Sequence, residues 1–250
     1  NFIAGKWVAP STGRYFTNRN PADTTDVIGR FPDSGPADIA AAVASAKVGF
    51  EQWSRTPAPL RGDVLRRLGD ILTDRKDELA DAMTREMGKV LAETGGDVQE
   101  GIDTAYYAQG EGRRLFGQTV PSELPNKFAM TVRTPLGVAG IITPWNFPLA
   151  IPTWKIFPAL LAGNTVVFKP ASESALTGLS LARILKAAGV PEGVFNIVTG
   201  SGGALSAGLA RVPRFCPRRC CGKYFRLRAR RPRRRLASAC QAGRSNGRRA

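Results

Sequence analysis

The feature that most constrains the fold is a regular alternation of apolar strands and helical segments between residues 137 and 202. The strands are short apolar runs, and the links between them and the helices are short as well. This alternation predicts an α/β fold built on a doubly wound parallel sheet. The predicted strands are residues 138–142, 165–169 and 194–198, and the predicted helices are residues 149–161, interrupted at Pro152 and Pro158, and residues 176–188.

The residues before this alternation are predicted to be mostly helical. After Pro36, apolar residues recur every three or four positions, which predicts an amphipathic helix with one buried stripe. A second helical stretch begins at Pro59, breaks near Asp74 and ends at Gly88, a residue type that commonly terminates helices. The other predictions for this part are strands at residues 1–7 and 26–30, a helix at residues 93–115, and a core or pocket-wall position for Tyr106 and Tyr107.

The segment from Thr143 to Pro148 is a short, stiff loop with one polar side chain between two aromatic ones. Proline fixes its own φ and keeps the preceding residue out of the helical region, so Pro144 and Pro148 restrict the loop. The carboxamide of Asn146 offers two N–H donors without charge, which suits the stabilisation of a developing oxyanion. The loop alone leaves a second interpretation open, in which Asn146 is a hydrogen-bonded residue of a proline-rich turn.

Three motifs around this loop resemble those of the aldehyde dehydrogenase superfamily, in the family's order and at its spacing. They are PWNFP at residues 144–148, GNTVVFKPAS at residues 163–172 and PEGVFNIV at residues 191–198. The resemblance extends back to the first residues and stops near Ala210. It implies an incomplete, truncated aldehyde dehydrogenase-like fold: a dinucleotide-binding domain with amino-terminal helices over residues 1–210, including a β-arm at about residues 117–135.

The resemblance implies NAD or NADP as the cofactor and assigns Lys169 to its adenosine ribose. Without the resemblance, a solvated surface position for this lysine is equally open. Ser172 stands where many NAD-specific members carry a glutamate, and a neutral hydroxyl does not repel a 2′-phosphate. This favours tolerance of NADP, although the neighbouring Glu173 could partly restore the negative charge.

The remaining cofactor contacts implied by the resemblance lie on both sides of Lys169. Gly202 belongs to a glycine-rich turn that resembles the family's turn beside the adenine. The backbone of Ile142 and Thr143, together with the indole of Trp145, resembles the family's nicotinamide-side wall.

The resemblance also implies the oxidation of a small-molecule aldehyde to a carboxylic acid. In the family a cysteine thiolate adds to the aldehyde, and a glutamate activates the water that releases the acid. The segments that carry both residues lie beyond Ala210 in family members, and all four cysteines of this chain lie at residue 216 or later, in other surroundings. We therefore expect a chain without the catalytic domain, inactive alone. The amino-terminal half suggests a semialdehyde dehydrogenase, and full-length family members are homo-oligomeric.

Residues 211–250 form a tail of different composition. They hold 15 basic residues and no acidic one, whereas residues 1–210 hold the other 21 basic residues and all 20 acidic ones. We favour an out-of-frame origin for this composition; the alternative function is a nucleic-acid-binding protein that acts through an arginine-rich arm. A zinc site does not fit, since the tail has no C-x-x-C pair and the chain has no histidine.

The sequence also argues against a membrane or secreted protein. No apolar run approaches the about 20 residues of a membrane span, and no secretory signal is visible. We expect a cytoplasmic protein without a metal site.

Overall fold

Residues 1–209, the part of the chain that the computed structural model describes, are organised around a five-stranded mixed sheet. In chain order the strands are β1 (Phe2–Ile3), β2 (Lys6–Trp7), β3 (Tyr15–Arg19), β4 (Val27–Pro32), β5 (Thr119–Val120), β6 (Ala129–Met130), β7 (Val138–Ile142), β8 (Thr165–Lys169) and β9 (Phe195–Ile197). The helices are α1 (Pro36–Trp53), α2 (Ala58–Asp74), α3 (Lys76–Met87), α4 (Leu91–Glu111), α5 (Ala150–Leu161), α6 (Ala175–Ala187) and α7 (Gly202–Leu209), with a 3-10 turn at Ser172–Ser174.

The central sheet has the order β2-β1-β9-β8-β7, in which β7, β8 and β9 are parallel. Helices α5 and α6 provide the two crossovers, as the alternation of strands and helices predicts. The predicted α/β fold is confirmed with one addition. The amino-terminal hairpin, β1 with β2, adds two antiparallel strands beside β9, where Phe2 pairs with Ile197.

Helices cover both faces of the sheet. The side chains of β8 point alternately to the two faces, and those on each face pack into a separate apolar cluster. Val166 and Phe168 pack into the larger cluster with residues of α2 to α6. Val167 packs into the smaller cluster with residues of α1 and α7. The sheet is therefore buried on both faces. In open α/β sheets, ligands bind at the carboxyl end of the strands.

The predicted helices are present, with two corrections. Helix α5 is continuous through both prolines. Pro152 lies in the first turn, where no backbone N–H is needed. Pro158 leaves only the carbonyl of Trp154 without a hydrogen-bond donor, and Trp154 is exposed to water. Of the two positions expected for Tyr106 and Tyr107, the core position is wrong: the two side chains are 38% and 69% exposed. The Tyr106 side chain lies against α2, where its hydroxyl donates to Asp70 at 2.9 Å.

Several boundaries differ by a few residues from the prediction. The break between α2 and α3 falls at Arg75, and Gly88 ends α3 in the left-handed conformation with φ 79°. Helix α4 ends at Glu111 rather than at residue 115, and irregular backbone leads from there to the arm. In the arm the short strands β5 and β6 pair antiparallel, as an exposed two-stranded ribbon.

No helix within residues 1–209 has the length and apolar character needed to cross a membrane. Among the same residues, no cluster of three or more histidine, cysteine, aspartate or glutamate side chains is arranged to hold a metal ion. The predictions for residues 211–250, an out-of-frame tail or a nucleic-acid-binding arm, lie outside the described residues.

Candidate functional site

The carboxyl ends of β7 and β8 bring three of the predicted site residues together. Ile142 and Lys169 are in register as the last residues of neighbouring strands. The backbone N–H of Thr143 donates to the carbonyl of Lys169 at 3.3 Å, which extends the pairing one residue beyond the strand. The residues that the sequence assigns to the two halves of a cofactor therefore share one edge of the sheet.

Lys169 is held in an environment poor in water. The residue is only 4% exposed, and burial lowers the pKa of its ammonium group, although the carboxylate of Glu173 opposes that change. A buried ammonium group is stabilised by oxygen acceptors, and ligand hydroxyls can provide them. The solvated surface position left open by the sequence is therefore wrong.

Ser172 begins the 3-10 turn between β8 and α6 and is fixed at two points. Its carbonyl accepts a hydrogen bond of 2.7 Å from Nδ2 of Asn18. Its hydroxyl lies 3.3 Å from the carbonyl of Gly200 and can donate to it, a long contact that leaves the oxygen lone pairs available. Ser172 thus lies beside the glycine-rich turn that follows β9.

The glycine-rich turn depends on Gly200 rather than on Gly202. Gly200 has φ 141°, and a Cβ there would lie 2.9 Å from the backbone nitrogen of Ser34, so only glycine fits. Gly202 is the first residue of α7, and no described atom lies within 4 Å of the position of a Cβ. The prediction that Gly202 contacts a cofactor stays a prediction, and the steric need for glycine lies two residues earlier.

Asn146 lies four residues beyond β7, in the loop of residues 143–148, hereafter the Asn146 loop. The side chains of Asn146, Trp145 and Phe147 are exposed in the described part of the chain, whereas Thr143 and Pro148 at its ends are buried. The Asn146 carboxamide is therefore accessible to a substrate. Its role as oxyanion donor and the contact of Trp145 with a nicotinamide stay predictions.

Sequence reasoning missed the residues that support the Ser172 turn. Glu86, 3% exposed, accepts hydrogen bonds from the backbone N–H groups of Leu176 and Thr177 at 2.6 and 2.9 Å. It also accepts one from the hydroxyl of Thr177 at 2.7 Å, so it caps the amino terminus of α6. The sequence does not indicate these contacts of Glu86 and Asn18, because their partners lie 90 and 154 residues away.

The described residues fit a dinucleotide at this edge. The hydroxyl of Thr143 is buried and has no hydrogen-bond partner among the described residues, which is rare for a buried polar atom and points to a group that these residues do not provide. The desolvated ammonium of Lys169 and the hydroxyl of Ser172 add one donor and one acceptor beside the same strands.

Comparisons with known proteins agree on one family. A family model described as the aldehyde dehydrogenase family matches residues 7–216. The chain is 43% identical over 210 residues to the α-ketoglutaric semialdehyde dehydrogenase of Bacillus subtilis, covering 84% of this chain and 43% of that protein. It is 38% identical to the NADP(+) succinate-semialdehyde dehydrogenase of Escherichia coli, covering 84% of this chain and 44% of that protein.

A solved structure extends the similarity to the fold. Betaine aldehyde dehydrogenase of Staphylococcus aureus, solved with NAD+, is 29% identical and superposes with a TM-score of 0.81 over 84% of this chain and 43% of that one. The chain thus spans less than half the length of the relatives it matches. These comparisons confirm the predicted family relationship, and semialdehyde dehydrogenases are among the relatives.

Proposed function

The chain belongs to the aldehyde dehydrogenase family, and on that premise we propose that residues 1–210 are the cofactor-binding part of an enzyme that oxidises an aldehyde to a carboxylic acid with NAD or NADP. The observation that carries the proposal is the meeting of Ile142, Thr143 and Lys169 at the carboxyl edge of β7 and β8. Open α/β sheets bind their ligands at this edge.

Each cofactor residue is given one role, and the surroundings of Lys169 and Thr143 support the roles of those two residues. Lys169 donates hydrogen bonds from its buried ammonium to the adenosine ribose, and Ser172 faces the 2′ position of that ribose. Gly202 adjoins the adenine half. Ile142, Thr143 and Trp145 line the nicotinamide side, and the orphaned hydroxyl of Thr143 gains a partner there. The bound dinucleotide supplies the hydride acceptor.

Asn146 is proposed as the catalytic residue of this part of the enzyme. When a thiolate adds to the aldehyde, a carbon–sulfur bond forms and the carbonyl oxygen becomes negative. An N–H of the Asn146 carboxamide donates to that oxygen and stabilises it more strongly as the charge grows. Its exposed position in a loop with restricted backbone supports this role.

We propose that the 250-residue chain does not turn over aldehyde on its own. Residues 1–209 contain no cysteine, and none of the four later cysteines stands in a sequence that resembles the surroundings of the family's nucleophile. In a spectrophotometric assay, reduction of NAD or NADP that appeared only on addition of an aldehyde would contradict this.

The substrate is proposed to be a semialdehyde, a class to which the substrates of the Bacillus subtilis and Escherichia coli relatives belong.

The arm at residues 117–135 is proposed to pack against a second copy in a homo-oligomer. Support comes from its exposed apolar side chains, among them Leu124, Phe128 and Met130. Sedimentation that found only monomers for a protein containing residues 1–209, at concentrations well above those of the assay, would contradict the oligomer.

The cofactor site is tested by measuring, with calorimetry, the binding of NAD and NADP to the 250-residue chain. Lys169→Met should weaken the binding of both NAD and NADP by about tenfold or more, because a hydrogen bond from a charged donor contributes about 1.5 kcal/mol or more. Lys47→Met removes an exposed lysine of α1 and serves as the control with unchanged affinity. Equal affinities of Lys169→Met and the control would remove Lys169 from the site.

A further inference from the structure

A buried aspartate on α4 holds the helix that follows the Asn146 loop. The Oδ1 atom of Asp97 accepts a hydrogen bond of 2.6 Å from the backbone N–H of Ala150, the first residue of α5. The side chain of Asp97 is fully buried, so this bond is shielded from water. The end of the loop is thereby tied to α4.

A lysine between α3 and α4 holds the loop from a second direction. The Nζ atom of Lys89 lies 3.7 Å from the centroid of the Phe147 ring, well inside the about 6 Å range of a cation–π interaction. The same Nζ atom lies 3.9 Å from Oδ2 of Asp97. Neither Nζ of Lys89 nor Oδ2 of Asp97 has a hydrogen-bond partner among the described residues, and both atoms are buried. The lysine therefore shares its charge between the carboxylate and the ring.

Two prolines restrict the backbone of the loop, and the described backbone hydrogen bonds of the loop are made by Thr143 and Phe147. Pro144 and Pro148 have no N–H to donate. Thr143 anchors the beginning of the loop to β8 through its bond to Lys169. At the other end of the loop, the carbonyl of Phe147 accepts a hydrogen bond of 3.2 Å from the backbone N–H of Ile151. The Phe147 side chain, next to Asn146, contacts Lys89.

From these contacts we infer that Lys89 and Asp97 act together as positioning residues for the Asn146 carboxamide. Asp97 fixes the end of the loop through Ala150, and Lys89, oriented by Asp97, fixes the ring next to Asn146. The catalytic significance of the pair rests on the proposed role of Asn146 as oxyanion donor, whereas its effect on the loop does not.

The experiment is nuclear magnetic resonance of the 15N-labelled 250-residue chain, with two reporters. The first is the pair of side-chain amide signals of Asn146, identified by their loss in Asn146→Ala. The second is hydrogen exchange at the backbone amide of Ala150. Lys89→Met should shift the Asn146 signals, and Lys89→Arg, which keeps a cation over the ring, should restore them. Asp97→Ala should speed exchange at Ala150 by about tenfold or more, as expected when a hydrogen bond to a charged acceptor is lost.

Asp97→Asn separates the two contacts. Its carboxamide oxygen still accepts from Ala150, so exchange there should stay slow, while the loss of charge beside Lys89 should shift the Asn146 signals. The matched control is Lys76→Met, which removes another lysine that bridges α3 and α4, through its 2.8 Å bond to Gln99. This control should leave both reporters unchanged.

Unchanged Asn146 signals in both Lys89→Met and Asp97→Asn would overturn the inference, as would equal shifts in Lys76→Met. If Lys89→Met does not fold, Asp97→Asn decides by the same criterion. Neither reporter requires turnover. An Asn146 that proved irrelevant to catalysis would therefore contradict the proposed function and leave the positioning result standing.

Discussion

Ser172 is proposed to face the 2′ position of the ribose, so its surroundings bear on the proposed choice between NAD and NADP. It is half-buried, its carbonyl is held by Asn18, and its hydroxyl is directed to the carbonyl of Gly200. The backbone at residue 172 is therefore held in place, and a charged side chain introduced there would start from a fixed position.

Ser172→Glu should weaken the binding of NADP relative to NAD, because it adds a negative charge beside the 2′-phosphate. The ratio of the two dissociation constants, measured on the 250-residue chain, should change less at high salt to the extent that solvent reaches the site. Thr24→Glu adds the same charge at an exposed position and should leave the ratio unchanged. A ratio that stayed the same in Ser172→Glu would show that residue 172 does not face the ribose.

The sequence predicts which side chains lie at the carboxyl ends of the strands, but it does not predict the hydrogen bonds that hold the neighbouring backbone in place. Lys169 is recognisable because it follows an apolar strand, and a residue there must emerge at the carboxyl edge. Asn18 and Glu86 carry no such mark. Their hydrogen bonds to Ser172 and to α6 exist only because the tertiary fold brings distant segments together.

Among the contacts between secondary-structure elements, the one between α3 and the start of α6 contains a buried carboxyl group with a shifted pKa. Burial raises the pKa of Glu86, and hydrogen bonds from Thr177, Leu176 and Asn18 oppose the change without cancelling it. The folded chain therefore binds more protons than the unfolded chain between the ordinary glutamate pKa of 4.5 and the raised value. Over that window the contribution of Glu86 to the free energy of unfolding falls as pH rises.

Glu86→Gln cannot ionise and should lack this pH dependence. We expect the free energy of unfolding of the unsubstituted chain, relative to Glu86→Gln, to decrease as pH rises from below 4.5. Urea titrations at a series of pH values measure the difference. The control is Glu78→Gln on the same helix. Because Arg75 lowers the pKa of Glu78, the free energy of unfolding relative to Glu78→Gln should rise with pH instead of falling. This change should be small because Glu78 is exposed. A pH-independent difference for Glu86→Gln would contradict the account.

The elements themselves were largely predictable, and the exceptions have local reasons. Apolar periodicity located α1, and the apolar runs located β7 and β8, because burial on one or two faces dictates those patterns. The prolines of α5 suggested interruptions that do not occur, since one lies in the first turn and the other deprives an exposed residue of its donor. The side on which Tyr106 and Tyr107 lie depends on the packing of α4 against α2, which periodicity at that position did not reveal.

For the molecule as a whole, the parallel order of β7, β8 and β9 followed from short alternating links, whereas the mixed character of the sheet did not. The pairing of β1 with β9 joins residues from opposite ends of the described chain, and nothing in either segment specifies its partner. The proposed function rests on two features of residues 1–209: the cofactor residues at the carboxyl ends of the strands and, in Asn146, an oxyanion donor.

The most direct measurement uses a chimera in which residues 1–209 replace the matching segment of the Bacillus subtilis α-ketoglutaric semialdehyde dehydrogenase, to which the chain is 43% identical. The account predicts that the chimera reduces NAD or NADP in the presence of a semialdehyde. Asn146→Ala should lower its kcat by about a hundredfold to a thousandfold, the usual effect of losing one oxyanion donor, while the affinity for the cofactor stays unchanged. A folded Asn146→Ala chimera with the kcat of the unsubstituted chimera would contradict the claim.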